Sequence, residues 1–475
     1  MSKQSNNVKA IKAGVGYTIG NVLLKGIVFI TLPIFTRLLN TADYGLYNTY
    51  VAYETILTVF SGLCLYGSLR NAIIDYHEKY DKYSGIILFS SIFILLFMLL
   101  IGNLFYPFIK NHWEFNRFIF NVLILHSYAM FIFQFYNVKL AMKYQYKQYM
   151  VITFLNSFFG TFLSLFLILT VFTNDASTGR ILGYAFVPIV LATYIWFKLV
   201  KGIKYKELFD FKIWKYSYRL SLPLVIHTFS QQILSQFGRI IINKQCGSEE
   251  AGIYGFMYNI VTILQIVVLS FDNAWSAWFY EEMDKKKYSV ILNVSKHYLL
   301  LGSIIFIGFI SLAPEVIKIM APSSYWTNIN LIIPMGIFIY FVFLYSLPVH
   351  VEYFYKKTKY IAIGTFLASI INVCLTVLLI KYFSFTIVAW VNVFSYFLLF
   401  LFHWRIANKL KPAKLFSLRS ILFNACFCFV YAFFVEMTLE NMMIRYLVLF
   451  ITLIIVLIVN KNDILTLKNL FTRND

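Results

Sequence analysis

Apolar runs of about twenty residues, each ended by a short polar or basic turn, recur along nearly the whole chain. A helix of that length crosses the hydrocarbon core, and in lipid each backbone polar group must find its partner within its own segment, so every run reads as a transmembrane helix. Fourteen such stretches can be drawn: 13–36, 44–67, 85–106, 117–138, 150–172, 180–200, 220–243, 251–271, 289–312, 327–350, 360–381, 384–404, 419–438 and 443–460. The fold class expected is therefore an all-α integral membrane protein. Composition agrees, because 60% of residues are hydrophobic and only 13% charged, outside the range of soluble globular chains. The opening residues are polar and basic, and the apolar run after them is too long for a removable signal and lacks its cleavage site, so the first helix is expected to be retained.

Lysine and arginine concentrate in cytoplasmic loops, which makes their distribution a test of the span count. With both termini placed inside, 31 basic residues fall on the cytoplasmic side, 8 on the outer side, and Lys25 and Arg239 lie within spans. That alternation predicts a multi-pass membrane protein with both termini cytoplasmic. It also accounts for the formal charge of +20. The basic residues are spread over short loops and form no compact patch, so nucleic acid is not an expected partner, whereas membrane lipid is.

The stretch from Lys12 to Leu57 returns as a weak copy from Arg219 to Leu264, at a constant offset of 207 residues. Its signature, Asn40-Thr41-Ala42-Asp43-Tyr44-Gly45-Leu46-Tyr47, matches Gly247-Ser248-Glu249-Glu250-Ala251-Gly252-Ile253-Tyr254. Two like-built lobes follow: residues 1–218 holding spans one to six, and 219–404 holding spans seven to twelve. Residues 405–475 would then supply two further helices and a tail. The connection from Lys201 to Tyr218 reads as an aromatic and basic surface helix between the lobes.

An ionisable residue inside a span is expensive, and so is a functional candidate. Lys25 and Glu54 sit at similar depths in the first two spans, where they either pair as a packing clamp or serve a ligand. Asn21 shares the face of Lys25. The seventh span is the most polar in the chain, with His227, Gln231, Gln232, Gln236 and Arg239 on one half of its surface. Lipid cannot satisfy that half, which points to a water-lined passage. Lys25, Asn21, Gln231, Gln232, Gln236 and Arg239 are the expected substrate contacts, with the two cations suited to phosphate. Glu54, Asp272 and His227 are the groups able to exchange a proton or hold a sodium ion. His126 and His297 read as packed histidines.

Four of five cysteines lie in spans and no His/Cys set has ligand spacing, so neither a disulfide framework nor a metal site is expected. There is no phosphate-cradling glycine loop and no dinucleotide fingerprint, and no outer loop is long enough to hold a catalytic domain. No catalytic residue is assigned and no cofactor is expected beyond a coupling H+ or Na+.

The opening helix, with Leu32-Pro33-Ile34-Phe35-Thr36-Arg37-Leu38-Leu39 followed by Asp43-Tyr44-Gly45-Leu46-Tyr47, resembles the start of the polysaccharide-exporting flippases of the Wzx type. These belong to the superfamily that also holds the multidrug and toxic-compound exporters and the lipid II flippase. The resemblance implies two six-helix lobes with a V-shaped cavity opening alternately to each side. It further implies an undecaprenyl-diphosphate-linked glycan as cargo, polysaccharide polymerase and chain-length proteins as partners, and Lys25 and Arg239 as the cations of the cavity. The chain has fewer intramembrane arginines than the lipid II flippases show. The rival expectations are a cation-coupled multidrug exporter of the same superfamily, a membrane oligosaccharide polymerase or ligase, and a scaffold without transport.

Overall fold

The computed structural model describes residues 26–27 and 29–459. Every regular element among them is helical. In chain order they are α1 (Phe29–Leu38), α2 (Thr41–Gly62), α3 (Leu69–Asp75), α4 (Tyr80–Ile109), α5 (Arg117–Met142), α6 (Tyr146–Phe166), α7 (Ala176–Val200), α8 (Tyr205–Leu208), α9 (Phe211–Gln245), α10 (Ser248–Asp284), α11 (Tyr288–Met320), α12 (Ile332–Phe354), α13 (Thr358–Leu379), α14 (Ile387–Leu410), α15 (Leu418–Met437) and α16 (Met442–Val459). Ten of these helices are long and apolar enough to cross a membrane alone, and α2 with α3 make an eleventh when the bent pair is taken as one span. The remaining three of the fourteen sequence stretches fall on α1, α9 and α16. The described part of α1 is short, α9 is too polar to pass a hydropathy test, and α16 is short. Large apolar side chains such as Phe97, Phe108, Phe423 and Met443 stand bare on the outer faces, a surface that water would not tolerate and acyl chains cover. The protein is a multi-pass membrane protein.

The second predicted span is broken. α2 ends at Gly62, Leu63 and Cys64 take the left-handed conformation (φ 44° and 55°), and the chain resumes through a 3-10 turn into α3 at an angle of 52°. Non-glycine residues with positive φ are strained, by about 1–3 kcal/mol each. Nothing in the apolar pattern marks the break, because Leu63, Cys64 and Leu65 continue the hydrophobic run. The surface helix expected over Lys201–Tyr218 is also not what forms. Only α8 is separate, and α9 starts at Phe211, where Asp210 accepts from the backbone N–H of Lys212 and Ile213, then runs unbroken into the seventh span. No helix-breaking residue separates Tyr218 from Leu220, and Ser217 is drawn inward by a hydrogen bond with Tyr83.

The chain forms two compact units. Among the described residues, the first lies within Met1–Gly255, Met320–Pro322 and Thr365–Phe385, and the second within Phe256–Ile319, Ser323–Gly364 and Thr386–Asp475. In the first, one core gathers Leu65, Leu69, Tyr83, Phe131, Phe135 and Ile195, and a smaller one gathers Tyr50, Phe115, Ile119, Leu123 and Ile181. The repeat is visible here as a reciprocal contact. A side chain added at Gly45 would strike the Ser248 carbonyl oxygen, and one added at Gly252 would strike the Thr41 carbonyl oxygen. Each glycine of the motif thus meets the first helical residue of the other copy, and Asn48 meets Gly255 at the equivalent place. Only glycine allows two helix starts to approach so closely, which is why both copies carry it. The second unit is built around α12, which is buried on almost every side and packs along α14. A helix apolar all round belongs at a bundle centre.

Candidate functional site

In the first unit α2 buries Asn48, Thr49, Glu54, Thr58 and Ser61. Asn40 caps the helix, its side-chain oxygen accepting from the Asp43 N–H at 2.7 Å, and this start places Tyr47, Tyr50, Glu54 and Thr58 about one or two turns apart. Glu54 is buried; its Oε1 accepts from Thr58 Oγ1 at 2.8 Å, and its Oε2 from Thr55 Oγ1 at 3.4 Å. Ser127 on α5 donates to the Glu54 carbonyl oxygen at 3.3 Å. One turn earlier, Tyr50 OH lies 3.2 Å from His126 Nδ1, and the ring of Tyr184 stands edge-on to His126. His126 is the packed histidine anticipated from the sequence.

Arg180, one of the eight basic residues that the span count places on the outer side, turns into this unit. Its Nη1 donates to Ser164 Oγ at 2.8 Å and its Nη2 to Tyr47 OH at 3.2 Å. The guanidinium lies 3.6 Å from the Phe35 ring centre and 4.5 Å from that of Tyr47. A guanidinium is weakly hydrated and stacks on aromatic faces, so this cage holds a cation without a carboxylate. No single-position signal could have exposed Arg180. It sits at the margin of an apolar run, and its partners come from α1, α2 and α6.

On α9, Arg239 is buried and its Nη1 donates to Gln236 Oε1 at 3.2 Å. Gln236, Gln232 and His227 are half-buried, while Gln231 is exposed. Thr228 approaches Cys64 at the break after α2, and Phe229 meets Phe60 edge-on. Lys25 and Asn21 lie outside the described residues.

The second unit holds several buried charges in pairs. Asp272 on α10, a candidate from the sequence, has Oδ1 2.9 Å from His350 Nε2, and the other nitrogen of His350 lies 3.0 Å from Tyr280 OH. Two residues along α12, Glu352 Oε1 is 2.7 Å from His403 Nδ1 on α14, with both side chains wholly buried. Positions two apart on a helix point to nearly opposite sides. α12 therefore carries one carboxylate–imidazole bridge to α10 and another to α14. Glu352 Oε2 and His403 Nε2 are buried with no hydrogen-bond partner among the described residues. A third cluster joins α11 to α16. Arg445, fully buried, bonds to Glu315 and donates to the carbonyl oxygens of Ser311, Thr438 and Leu439 at 2.8–2.9 Å. His350, Glu352, His403, Glu315 and Arg445 escaped the sequence reading because each falls near the end of a run, where a charge looks like a loop residue.

Lipid-facing helices with polar and charged groups sequestered inside make this a multi-pass helical membrane bundle. Solved structures agree. The lipid II flippase MurJ, in its inward closed conformation, superposes with a TM-score of 0.71 over 94% of this chain and 99% of its own, at 14% identity. An inward-facing multidrug resistance MATE family transporter of the MOP superfamily superposes with a TM-score of 0.57 over 82% of this chain and 99% of its own, at 16% identity. A MOP superfamily transporter from Pyrococcus furiosus gives 0.53 over 91% and 96%, at 14% identity. Among sequences, protein 1 of the Lsg locus of Haemophilus influenzae is 25% identical over 288 residues, 59% of this chain and 68% of that one. The polysaccharide biosynthesis protein family matches residues 11–279, more than half the chain, and the protein belongs to that family.

Proposed function

We propose that the protein moves a polyprenyl-diphosphate-linked oligosaccharide from the cytoplasmic to the outer leaflet of the bacterial inner membrane, by alternating access, for surface polysaccharide assembly. The observation that carries this reading is the pair of arginines, Arg180 and Arg239, held inside lipid-facing helices of a polysaccharide biosynthesis family member. Moving a dianionic, many-hydroxyl headgroup through bare hydrocarbon would forfeit its hydration, a cost no single contact repays. A polar passage replaces that hydration while the lipid tail stays in the bilayer. Lys25 and Arg239 are the proposed diphosphate contacts, with Asn21, Gln231, Gln232 and Gln236 as polar lining. Glu54, Asp272 and His227 are the proposed sites through which a proton or sodium gradient resets the cycle.

Deleting the gene and locating the lipid-linked glycan tests the proposal. Single repeat units accumulating in the cytoplasmic leaflet support a flippase. Single units in the outer leaflet point to a polymerase, and unchanged glycan with altered drug tolerance points to an exporter. Lys25→Ala and Arg239→Ala should each reduce surface glycan at unchanged protein level, and normal export by both would refute a cationic passage.

A further inference from the structure

α6 and α7 approach closely where their side chains are small. An added side chain at Gly183 would strike the backbone of Ser164, and Gly160 lies near the Gly183 carbonyl oxygen. Toward the other end of the pair the residues are large and two cavities open. One, of about 370 Å³, is lined by Lys147, Gln148, Leu155, Tyr136, Tyr194 and Lys198 among others. The second, of about 340 Å³, is lined only by apolar residues, including Phe159, Phe162, Phe186 and Val190. Leu155 and Leu191 line both, so the two form one groove with a basic head and an apolar tail.

The head is built for an anion. Neither cavity has an acidic lining residue. Asp81, the carboxylate nearby, is bridged to Lys139 and Lys143 at 2.9 and 2.5 Å. Lys147 and Lys198 have no ion pair among the described residues. Lys198 is positioned by Tyr136, whose hydroxyl accepts from its Nζ at 3.4 Å and donates to Gln148 Oε1 at 3.2 Å. The tail is open along its flank, with Phe159, Phe162, Phe186 and Val190 about half exposed. It carries no polar group that would hold sugar.

We infer that this groove binds an anionic phospholipid, its phosphate between Lys147 and Lys198 and one acyl chain lying along Leu155, Phe159, Phe162 and Val190. The two lysines suit a phosphodiester head, and the apolar lining beyond them suits an acyl chain. The head lies at the end of α6 and α7 that carries Lys147 and Lys198, with Lys139 and Lys143 just before α6 in the chain and Lys201 and Lys204 just after α7. On the positive-inside rule that end faces the cytoplasmic leaflet, where anionic lipids act on basic segments.

The test is native mass spectrometry of the full-length protein in detergent, titrated with phosphatidylglycerol or phosphatidylcholine of identical chains. At about 1 kcal/mol for each lysine near an anionic head, phosphatidylglycerol should bind on the order of tenfold or more tightly. Lys147→Ala with Lys198→Ala should erase that preference, whereas Lys201→Ala with Lys204→Ala, an equal change of charge outside the groove, should keep it. Val190→Trp, which fills the tail and leaves the lysines in place, should weaken both lipids. Equal binding of the two lipids, unaltered preference in the groove variant, or equal loss in the control variant would overturn the assignment. So would displacement of phosphatidylglycerol by a substoichiometric polyprenyl diphosphate, which would give the groove to the transported lipid instead.

Discussion

Both compact units bury charge, and apart from the Lys139–Asp81 pair of the first they neutralise it with different chemistry. In the first, the described partners of Glu54 are the hydroxyls of Thr58 and Thr55, and those of Arg180 are Ser164, Tyr47 and the Phe35 ring. In the second, Glu352 meets His403, Asp272 meets His350, and Arg445 meets Glu315. Hydroxyls and aromatic faces stabilise a charge without cancelling it, so the first unit keeps fields that a ligand can feel. An imidazole or guanidinium facing a carboxylate cancels most of the field locally, so the pair acts as a clamp between helices or as a place where one proton is shared. The contrast is consistent with the described substrate contacts being proposed on α9 and none on α12.

The largest effect expected from breaking this contrast is in the second unit. His403→Ala removes the described partner of a buried carboxylate and should cost about 3–5 kcal/mol, read as a lower midpoint of thermal unfolding in detergent. Adding Glu352→Leu removes the stranded charge and should restore much of the loss. A double variant as unstable as the single one would mean that the two side chains are not coupled.

A smaller effect sharpens the other side. Thr58→Val removes the hydroxyl donor to Glu54 and should cost about 1.5–3 kcal/mol if that carboxylate is ionised. In a Glu54→Gln background the same change should cost only about 0.5–1.5 kcal/mol, the range for neutral partners. Equal losses in both backgrounds would show that Glu54 carries no charge, and the two units would then differ less than their partners suggest.

Arg180→Lys keeps the charge but loses the planar stacking on Phe35 and Tyr47, worth about 0.5–2 kcal/mol. Its main effect should appear in transport. Glycan export should fall while the protein remains folded, whereas Arg445→Lys should act on stability first.

The smallest expected effect lies outside the membrane. The Lys82 ammonium, 2.8 Å from Glu207 Oε1, holds this exposed carboxyl below the usual glutamate range. A depressed folded-state value means that the stabilising contribution is present above the ordinary glutamate pKa and is lost as pH falls through the depressed one. Glu207→Gln should therefore leave the unfolding midpoint at neutral pH almost unchanged, since exposed pairs contribute little. Any difference from wild type should vanish in acid. A large shift at neutral pH would mean that this linker pair matters as much as the buried ones.

The sequence by itself determined the helical membrane class and the position of each apolar stretch, because a bilayer of fixed thickness imposes length and hydrophobicity segment by segment. It also determined the repeat, and with it the two glycines that meet at Thr41 and Ser248, since a close backbone approach leaves its mark as a residue type. Glu54 was legible as an ionisable group within an apolar run, and Asp272 as one at the end of a run. Only the tertiary structure decided which partner each charge has: that Arg180 enters a cage supplied by three other helices, that Asp272 belongs to His350, and that Glu352 and His403 form a closed pair. It alone decided that α2 breaks after Gly62 and that α9 runs on from Phe211. These outcomes depend on contacts between helices far apart in the chain, and the hydropathy of a single segment carries no record of the neighbour it will pack against.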